Sequence, residues 1–178
     1  MTLPKKFTQG STVINWDTVI EGLADGKDIT VDPDIWDLSN PEYEKILQQW
    51  NDADLNLDSV KWTNYYPGQF AKEIDDYFCD TLNLKYLRSW ISCVDPGYYA
   101  PWHWDADDNL DKYLEQGTPV RYSVFISKPS VTGIFVVGDK VYANMPQGSI
   151  VKWDKFDEWH AGMNAGLQPK FMYHLLGV

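Results

Sequence analysis

The hydrophobic pattern of this chain changes its period near residue 84. Beyond that point, short runs rich in β-branched and aromatic residues alternate with Gly, Pro, Asn and Asp turn signals, as is typical of antiparallel strands. The runs that predict strands cover residues 85–94, 120–126, 133–137, 140–142, 149–153 and 171–175. Several short strands with frequent turns indicate a mainly β protein.

The first third of the chain predicts helices instead. Phe70, Ile74, Tyr77 and Phe78 recur at helical spacing within residues 69–78, so one face of that helix can pack on a sheet. Residues 42–50 predict a second helix, because a Ser-Asn-Pro start and early acidic residues precede its apolar positions. Residues 12–16 fit either a strand or the approach to a short helix at 17–23.

Together these patterns predict one domain over residues 1–178, mainly β with supporting helices. Residues 1–84 would form an N-terminal helical elaboration and residues 85–178 the core. Helices that pack against many short strands favour a double-stranded β-helix, which is a jelly-roll, cupin-like barrel.

Composition and charge exclude several classes of protein. The 178 residues carry 26 acidic and 15 basic side chains, for a formal net charge of −11, which disfavours binding to nucleic acid. No apolar run is long enough to span a membrane, and residues 1–10 lack the apolar core of a signal peptide. We therefore expect a cytoplasmic protein without membrane contact, in which Cys79 and Cys93 are buried free thiols.

Two of the three histidines have the spacing of a metal site. His103, Trp104 and Asp105 form an HxD triplet, and His160 follows 55 residues after Asp105. In a strand, alternation puts His103 and Asp105 on one face, and a later strand can bring His160 beside them. Two imidazoles and one carboxylate on one side of a metal, with open positions, suit non-haem Fe(II).

The context of the triplet carries a resemblance to a known family. A strand and an Asp-Pro-Gly turn at 95–97 precede it, a Gly-led strand follows at 149–153, and His160 begins the run His-Ala-Gly-Met-Asn. Over residues 86–178 the chain resembles the Fe(II)/2-oxoglutarate-dependent oxygenase superfamily, especially small prolyl-hydroxylase-like members. The resemblance implies a catalytic and metal-binding triad of His103, Asp105 and His160.

The resemblance also implies a cosubstrate site. In that family a basic residue on the strand after the distal histidine binds the far carboxylate of 2-oxoglutarate, and here that position is Lys170, ten residues after His160. The family often has arginine there, with a serine or threonine two residues later, whereas this chain has Met172. A further donor is then needed, and Arg121, Tyr122 and Tyr142 are the candidates.

Other residues near the motif have competing interpretations. His174 shares a strand face with Lys170 and Met172, so it either approaches the cosubstrate or is a hydrogen-bonded core histidine, which we favour. Arg121 fits a carboxylate contact and an ion pair at the surface or in the structure equally well. Asp105, Asp107 and Asn109 fit the start of a calcium loop, but Leu110 and Gln116 break that motif. Of the aromatic residues, Trp102 or Trp104 is expected to form a wall of the pocket.

The resemblance implies an oxidoreductase: a dioxygenase that uses Fe(II), O₂ and 2-oxoglutarate and releases succinate and CO₂. It would act as a hydroxylase, or oxidatively demethylate, an amino-acid, peptidyl or small-metabolite substrate. Two alternatives are a cupin-like metal-dependent isomerase or hydrolase and a non-catalytic jelly-roll ligand-binding module. Lys170 argues against the first, and the triad argues against the second. The acceptor substrate and the oligomeric state stay open at this point.

Overall fold

The computed structural model describes residues 14–24, 30–32, 48, 52, 54, 57–66, 72–104, 110–155 and 158–178. The helices in these ranges are α1 (Trp16–Ala24), α2 (Lys72–Leu82) and α3 (Leu110–Leu114), with one 3₁₀ turn at Leu57–Ser59. The strands are β1 (Thr30–Asp32), β2 (Thr63–Tyr66), β3 (Tyr86–Val94), β4 (Tyr99–His103), β5 (Val120–Phe125), β6 (Gly133–Val137), β7 (Lys140–Tyr142), β8 (Ile150–Lys152), β9 (His160–Asn164) and β10 (Lys170–Gly177).

The strands form two antiparallel sheets. The large sheet has the order β1-β2-β3-β10-β5-β8, and the small sheet has the order β4-β9-β6-β7. From β3 onward the chain passes repeatedly between the sheets, so that β10 pairs with both β3 and β5, and β9 with both β4 and β6. This winding is that of a double-stranded β-helix, which confirms the predicted fold class.

Two apolar clusters hold the layers together. Alternation along β10 directs Phe171, Tyr173 and Leu175 toward the helices, and Met172 toward the small sheet. The outer cluster packs the large sheet against α1 and α2 through Trp16, Val19, Leu23, Ile74 and Phe78. The inner cluster fills the space between the sheets with Phe125, Phe135, Val137, Val151, Trp153 and Met172. The space between the sheets is the interior of the barrel.

The helix boundaries have local causes. Asn15 caps α1, since its Oδ1 accepts a hydrogen bond from the Thr18 amide at 3.3 Å, and the helical alternative for this segment is confirmed. At the C-terminal end of α2, Asn83 adopts a positive φ of 53°, and the Leu84 amide donates a hydrogen bond to the Cys79 carbonyl at 2.8 Å. The predicted helix at 69–78 therefore continues to Leu82.

The described part of residues 1–84 contains strands as well as helices. It contributes β1 and β2, which extend the large sheet beyond β3. Except for Gln48, the predicted helix at 42–50 lies outside the described residues, as do residues 69–71.

Burial of Cys79 and Cys93 as free thiols is confirmed, and burial raises the pKa of Cys93 to about 12. Among the described helices, none is long and apolar enough to cross a membrane.

Candidate active site

Strands β4 and β9 bring His103 and His160 together. The two residues lie directly opposite each other in the register of the small sheet, with ring centroids 4.2 Å apart. A register shift between Ala100 and His103 adds one residue to β4 relative to β9. Ala100 therefore pairs with Gly162, and His103 pairs with His160. Both imidazoles are buried. Two residues 57 positions apart in the sequence thus form one pair inside the barrel.

Backbone carbonyls orient both imidazoles. Nδ1 of His103 lies 2.6 Å from the Pro101 carbonyl oxygen, and Nδ1 of His160 lies 3.1 Å from the Glu158 carbonyl oxygen. A carbonyl only accepts, so each Nδ1 carries the proton and the lone pair of each neutral ring is on Nε2. Metal-binding histidines are commonly fixed by this kind of outer hydrogen bond.

The third predicted ligand, Asp105, lies outside the described residues, as do Asp107 and Asn109. Strand β4 ends at His103, and Trp104 follows it without strand structure. Within the described ranges, no three His, Cys, Asp or Glu side chains gather as a metal-ligand set. The contribution of Asp105 therefore stays a prediction.

Lys170 reaches into the barrel from the start of β10. Its side chain is buried, and Nζ donates a hydrogen bond to the Ile134 carbonyl at 2.6 Å and lies 5.5 Å from the centre of the Phe135 ring. Desolvation by burial lowers the pKa of Lys170 to about 7. The described residues place no carboxylate within an ion-pair distance of this ammonium. A buried ammonium without an anion beside it is unfavourable, so this position favours an anionic ligand.

Glycine makes room for this lysine. A Cβ placed on Gly162 would lie 3.7 Å from the Lys170 Nζ, and one on Gly133 would lie 3.3 Å from its Cδ. Gly162 follows His160 by two residues on the same strand face, or about 6.6 Å along the strand. The Lys170 ammonium therefore lies roughly one two-residue strand repeat from the histidine pair, inside the same barrel.

His174 is the core histidine that its pattern favoured. Its Nδ1 lies 2.8 Å from the Ser123 hydroxyl, its Nε2 lies 2.8 Å from the Ser92 hydroxyl, and its ring stacks on Trp90. Ser123 also accepts a 2.8 Å hydrogen bond from the Trp153 indole. In the tautomer with the proton on Nε2, the Ser123 hydroxyl donates to His174 Nδ1 and His174 donates to the Ser92 oxygen, and the other tautomer reverses both hydrogen bonds.

The remaining candidates lie in three different environments. Arg121 is buried inside the barrel, with its guanidinium 3.7 Å from the Trp153 ring centre and 4.6 Å from that of Trp90, so it is not a surface residue. Tyr122 lies on the opposite face of β5 and packs against the helix-side cluster, away from the barrel interior. Tyr142 pairs with Phe135 in the register and packs against the inner cluster.

One residue beside the histidines carries no motif in the sequence. The ring of Trp62 lies 5.2 Å from that of His103, just before β2. Trp102 instead stacks on Trp159 at 6.2 Å and is exposed, so it does not form the expected wall of the interior. The only sequence signal near Trp62 is the aromatic, strand-forming run that follows it. Its partner strand cannot be inferred from that run.

A cavity of about 810 Å³ lies where β5 ends and β10 begins. Its lining includes Asp17 and Glu21 of α1, Lys128, Gln168 and Lys170, but neither His103 nor His160. The cavity therefore contacts Lys170 without contacting the histidine pair. It is separate from the candidate metal centre.

Comparisons with known proteins give information about the fold only. No protein family and no curated protein matches this sequence. Among solved structures, a cupin 2 conserved barrel domain protein from Rhodopseudomonas palustris is similar at 12% identity and a TM-score of 0.43, covering 84% of this chain and 72% of that one. A predicted oxalate decarboxylase from Thermotoga maritima gives 11% identity and a TM-score of 0.41 over 66% and 81%.

A third similar structure is that of DMSP lyases, with 15% identity and a TM-score of 0.37 over 51% of this chain. The chain spans only 38% of the length of that protein. The neighbours are thus cupin-type double-stranded β-helix proteins, some of which are enzymes. At these identities and TM-scores they carry no argument about function, and the fold rests on the strand order itself.

Proposed function

We propose that this protein is an Fe(II)- and 2-oxoglutarate-dependent dioxygenase that hydroxylates or oxidatively demethylates an organic substrate. One observation carries the proposal: two buried histidines with Nδ1 held by backbone carbonyls lie in the same barrel as a buried lysine that has no carboxylate partner among the described residues. A metal at the histidine pair and an anion at the lysine would suit these two positions.

The residues present fit Fe(II). His103 and His160 would provide two imidazole Nε2 atoms from adjacent strands, and Asp105 would add a carboxylate two residues after His103. This donor set is the two-histidine, one-carboxylate combination of non-haem iron oxygenases. When bound, the iron would supply O₂ activation coupled to the oxidative decarboxylation of 2-oxoglutarate to succinate and CO₂.

The position of Lys170 supports 2-oxoglutarate as cosubstrate. Its Nζ lies beside Gly162, about one strand repeat from His160, which is of the order of the length of this short dicarboxylate. Lys170 would therefore hold the far carboxylate while the keto-acid end faces the histidines. The absence of a side chain at Gly162 leaves space for the carbon chain between them.

Ser92 supplies the hydroxyl that Met172 lacks. Ser92 on β3 and Met172 on β10 lie directly opposite each other. The hydroxyl is therefore on the residue that neighbours Met172 across the two strands. In the tautomer with the proton on Nε2, His174 donates to the Ser92 oxygen, which leaves the Ser92 hydroxyl hydrogen for a carboxylate. Ser92 thus replaces Tyr122, which faces the helices, as the partner of Lys170.

The barrel controls the environment of the reaction. Phe125, Phe135, Trp153 and Met172 line the space between the sheets and limit the access of water to it. A dry interior strengthens the attraction between Lys170 and an anion, and it also protects reactive species from side reactions. The protein's own residues therefore bind, orient and shield the reactants.

The wider setting belongs to the same proposal. The whole chain would act as one oxygenase domain in the cytoplasm, on an amino-acid, peptidyl or small-metabolite substrate, without binding nucleic acid in bulk. The rival, a cupin-like isomerase or hydrolase, accounts for the histidine pair. It gives no role to the buried ammonium of Lys170.

An anaerobic calorimetric titration tests the proposal. We expect Fe(II) to bind tightly, and 2-oxoglutarate to bind much more tightly after the metal than before it, because the keto-acid end requires the metal. In air, the loaded protein should release succinate. Metal binding without any effect on 2-oxoglutarate affinity would favour the rival enzyme class, and no metal binding would favour a non-catalytic ligand-binding module.

A further inference from the structure

The segment from Val60 to Tyr66 closes the side of the barrel nearest to His103. Val60 forms a parallel bridge with Tyr99 at the start of β4, and the Lys61 amide donates to the Tyr99 carbonyl at 3.1 Å. Three residues later the same segment, as β2, pairs with β3 of the large sheet. One short stretch of chain therefore connects the adjacent edges of the two sheets.

Alternation within this segment gives it an inner and an outer face. Tyr65 pairs with Ile91 and packs against the helix-side cluster, so Asn64 faces the barrel interior opposite Ser92. Trp62, two residues earlier, has its ring 5.2 Å from the His103 ring. Trp62 and Asn64 thus form an inner wall beside the candidate metal centre.

Asn64 brings an unsatisfied acceptor to this wall. Its Oδ1 is buried, and it has no hydrogen-bond partner among the described residues, even though the Ser92 hydroxyl is on the neighbouring strand. A buried acceptor without a donor destabilises the protein, and such a group in a native structure needs an explanation. A carboxylate cannot supply the missing donor, so 2-oxoglutarate does not explain it.

Three features favour a positively charged donor. An amide oxygen accepts from N–H groups, an indole face attracts cations, and the formal net charge of −11 concentrates cationic ligands around the protein. A neutral hydroxyl on the ligand would use only the first of these. An ammonium or guanidinium group uses all three.

We propose that Trp62 and Asn64 form the subsite for the primary substrate, and that this substrate presents an ammonium or guanidinium group, whose N–H donates to Asn64 Oδ1. The inference rests on the proposed dioxygenase function and adds the class of its substrate. Asn64 is then a specificity-determining residue supplied by the N-terminal third of the chain. The cation comes from a free amine or amino acid, or from the side chain of a peptide.

The test measures succinate release above the background without substrate. Probes are free lysine, free arginine and an acetylated peptide with one lysine, compared with analogues that carry no ammonium or guanidinium group: Nα,Nε-diacetyl-lysine, Nα-acetyl-citrulline and the Nε-acetylated peptide. We expect at least one cationic probe to exceed its neutral analogue about tenfold or more in kcat/KM, as a charge-assisted hydrogen bond predicts. Free and peptidyl probes distinguish the two sources.

Variants of the wall sharpen this test. Asn64→Leu should remove the preference for the cationic probe, whereas Asn64→Asp should retain or increase it, because a carboxylate accepts the same hydrogen bond. Thr63→Val is the matched control, since it changes a polar residue of β2 on the other strand face and should leave kcat/KM unchanged. A purely structural Asn64 would not be rescued by aspartate.

Thermal unfolding gives a second readout. Removing an unsatisfied acceptor should leave the melting temperature of Asn64→Leu unchanged or higher, and a marked fall would overturn the ligand role. Equal stimulation by cationic and neutral probes, or none by any cationic probe in a wild-type protein that binds Fe(II) and 2-oxoglutarate, would overturn the substrate class alone. If the wild-type protein fails to bind the two interdependently, the dioxygenase proposal itself fails.

Discussion

The barrel interior contains three buried histidines in two different environments. His103 and His160 each have Nδ1 against a backbone carbonyl, and their rings face each other across two strands of the small sheet. His174, on the large sheet, has both ring nitrogens at 2.8 Å from serine hydroxyls. His103 and His160 thus each have one nitrogen fixed by a backbone carbonyl, whereas both nitrogens of His174 are bonded to serine hydroxyls.

The hydrogen-bond partners explain this difference. A carbonyl fixes the tautomer from outside the site and leaves the Nε2 lone pair on the inner side of the ring. Two hydroxyls can donate to and accept from the same imidazole, so His174 is satisfied without a metal. Burial alone therefore does not identify a metal ligand, and the hydrogen-bond partners of both ring nitrogens must be compared.

Removing one histidine from each region should give the largest difference between the two regions in metal binding and stability. We expect His160→Ala to lose tight Fe(II) binding and remain folded, because it removes a ligand. His174→Ala should keep Fe(II) binding but lose roughly 2 to 3 kcal/mol of unfolding free energy, because it leaves buried hydroxyls without partners. Metal titration and urea unfolding measure the two effects. Stoichiometric iron in His160→Ala would contradict the assignment.

Lys170 tests whether the metal region extends to a cosubstrate. Lys170→Met should weaken 2-oxoglutarate binding about tenfold to a hundredfold, since a hydrogen bond to a charged group contributes about 1.5 to 3 kcal/mol. Fe(II) binding should stay near normal, and Lys170→Arg should be better tolerated. Calorimetry in the presence of metal measures the affinities. If Lys170→Met binds as tightly as the parent, the carboxylate is anchored elsewhere, and Arg121 is the next residue to test.

Ser92 belongs to both regions, since it is hydrogen-bonded to His174 and faces the proposed carboxylate. Ser92→Ala should weaken 2-oxoglutarate binding about tenfold, the lower end of the range for a hydrogen bond to a charged acceptor. Ser123→Ala is the control, because it breaks the other hydrogen bond of His174 and should affect stability more than affinity. Equal losses of affinity in both variants would mean that Ser92 acts only through His174.

We also expect stability and 2-oxoglutarate affinity to depend on pH through Lys170. Burial lowers the pKa of Lys170 to about 7, below its usual 10.5, so the folded protein without ligand binds fewer protons than the unfolded chain between these values. This group alone should therefore make the unliganded protein more stable as the pH rises through that window. The affinity for 2-oxoglutarate should instead fall above pH 7. Lys170→Met should flatten both profiles, and unchanged slopes would exclude Lys170 as their source.

Local patterns predicted much of the barrel. The strand at Gly133–Val137 and the one at Lys140–Tyr142 have the predicted bounds, because turn residues flank each run on both sides. The shared face of Lys170, Met172 and His174 also follows from alternation alone. The strand β10 is longer than predicted, because Leu176 and Gly177 also pair with β3 and β5.

The sequence by itself determined the fold class, the faces of the strands and the residue types at the candidate site, because these follow from periods of two and from local turn chemistry. Only the tertiary structure decided that His103 faces His160, that Ser92 lies opposite Met172, and that Trp62 and Asn64 close the barrel beside them. These contacts depend on the register between strands distant in the sequence. That register is set by the packing of the whole barrel, which no local pattern records.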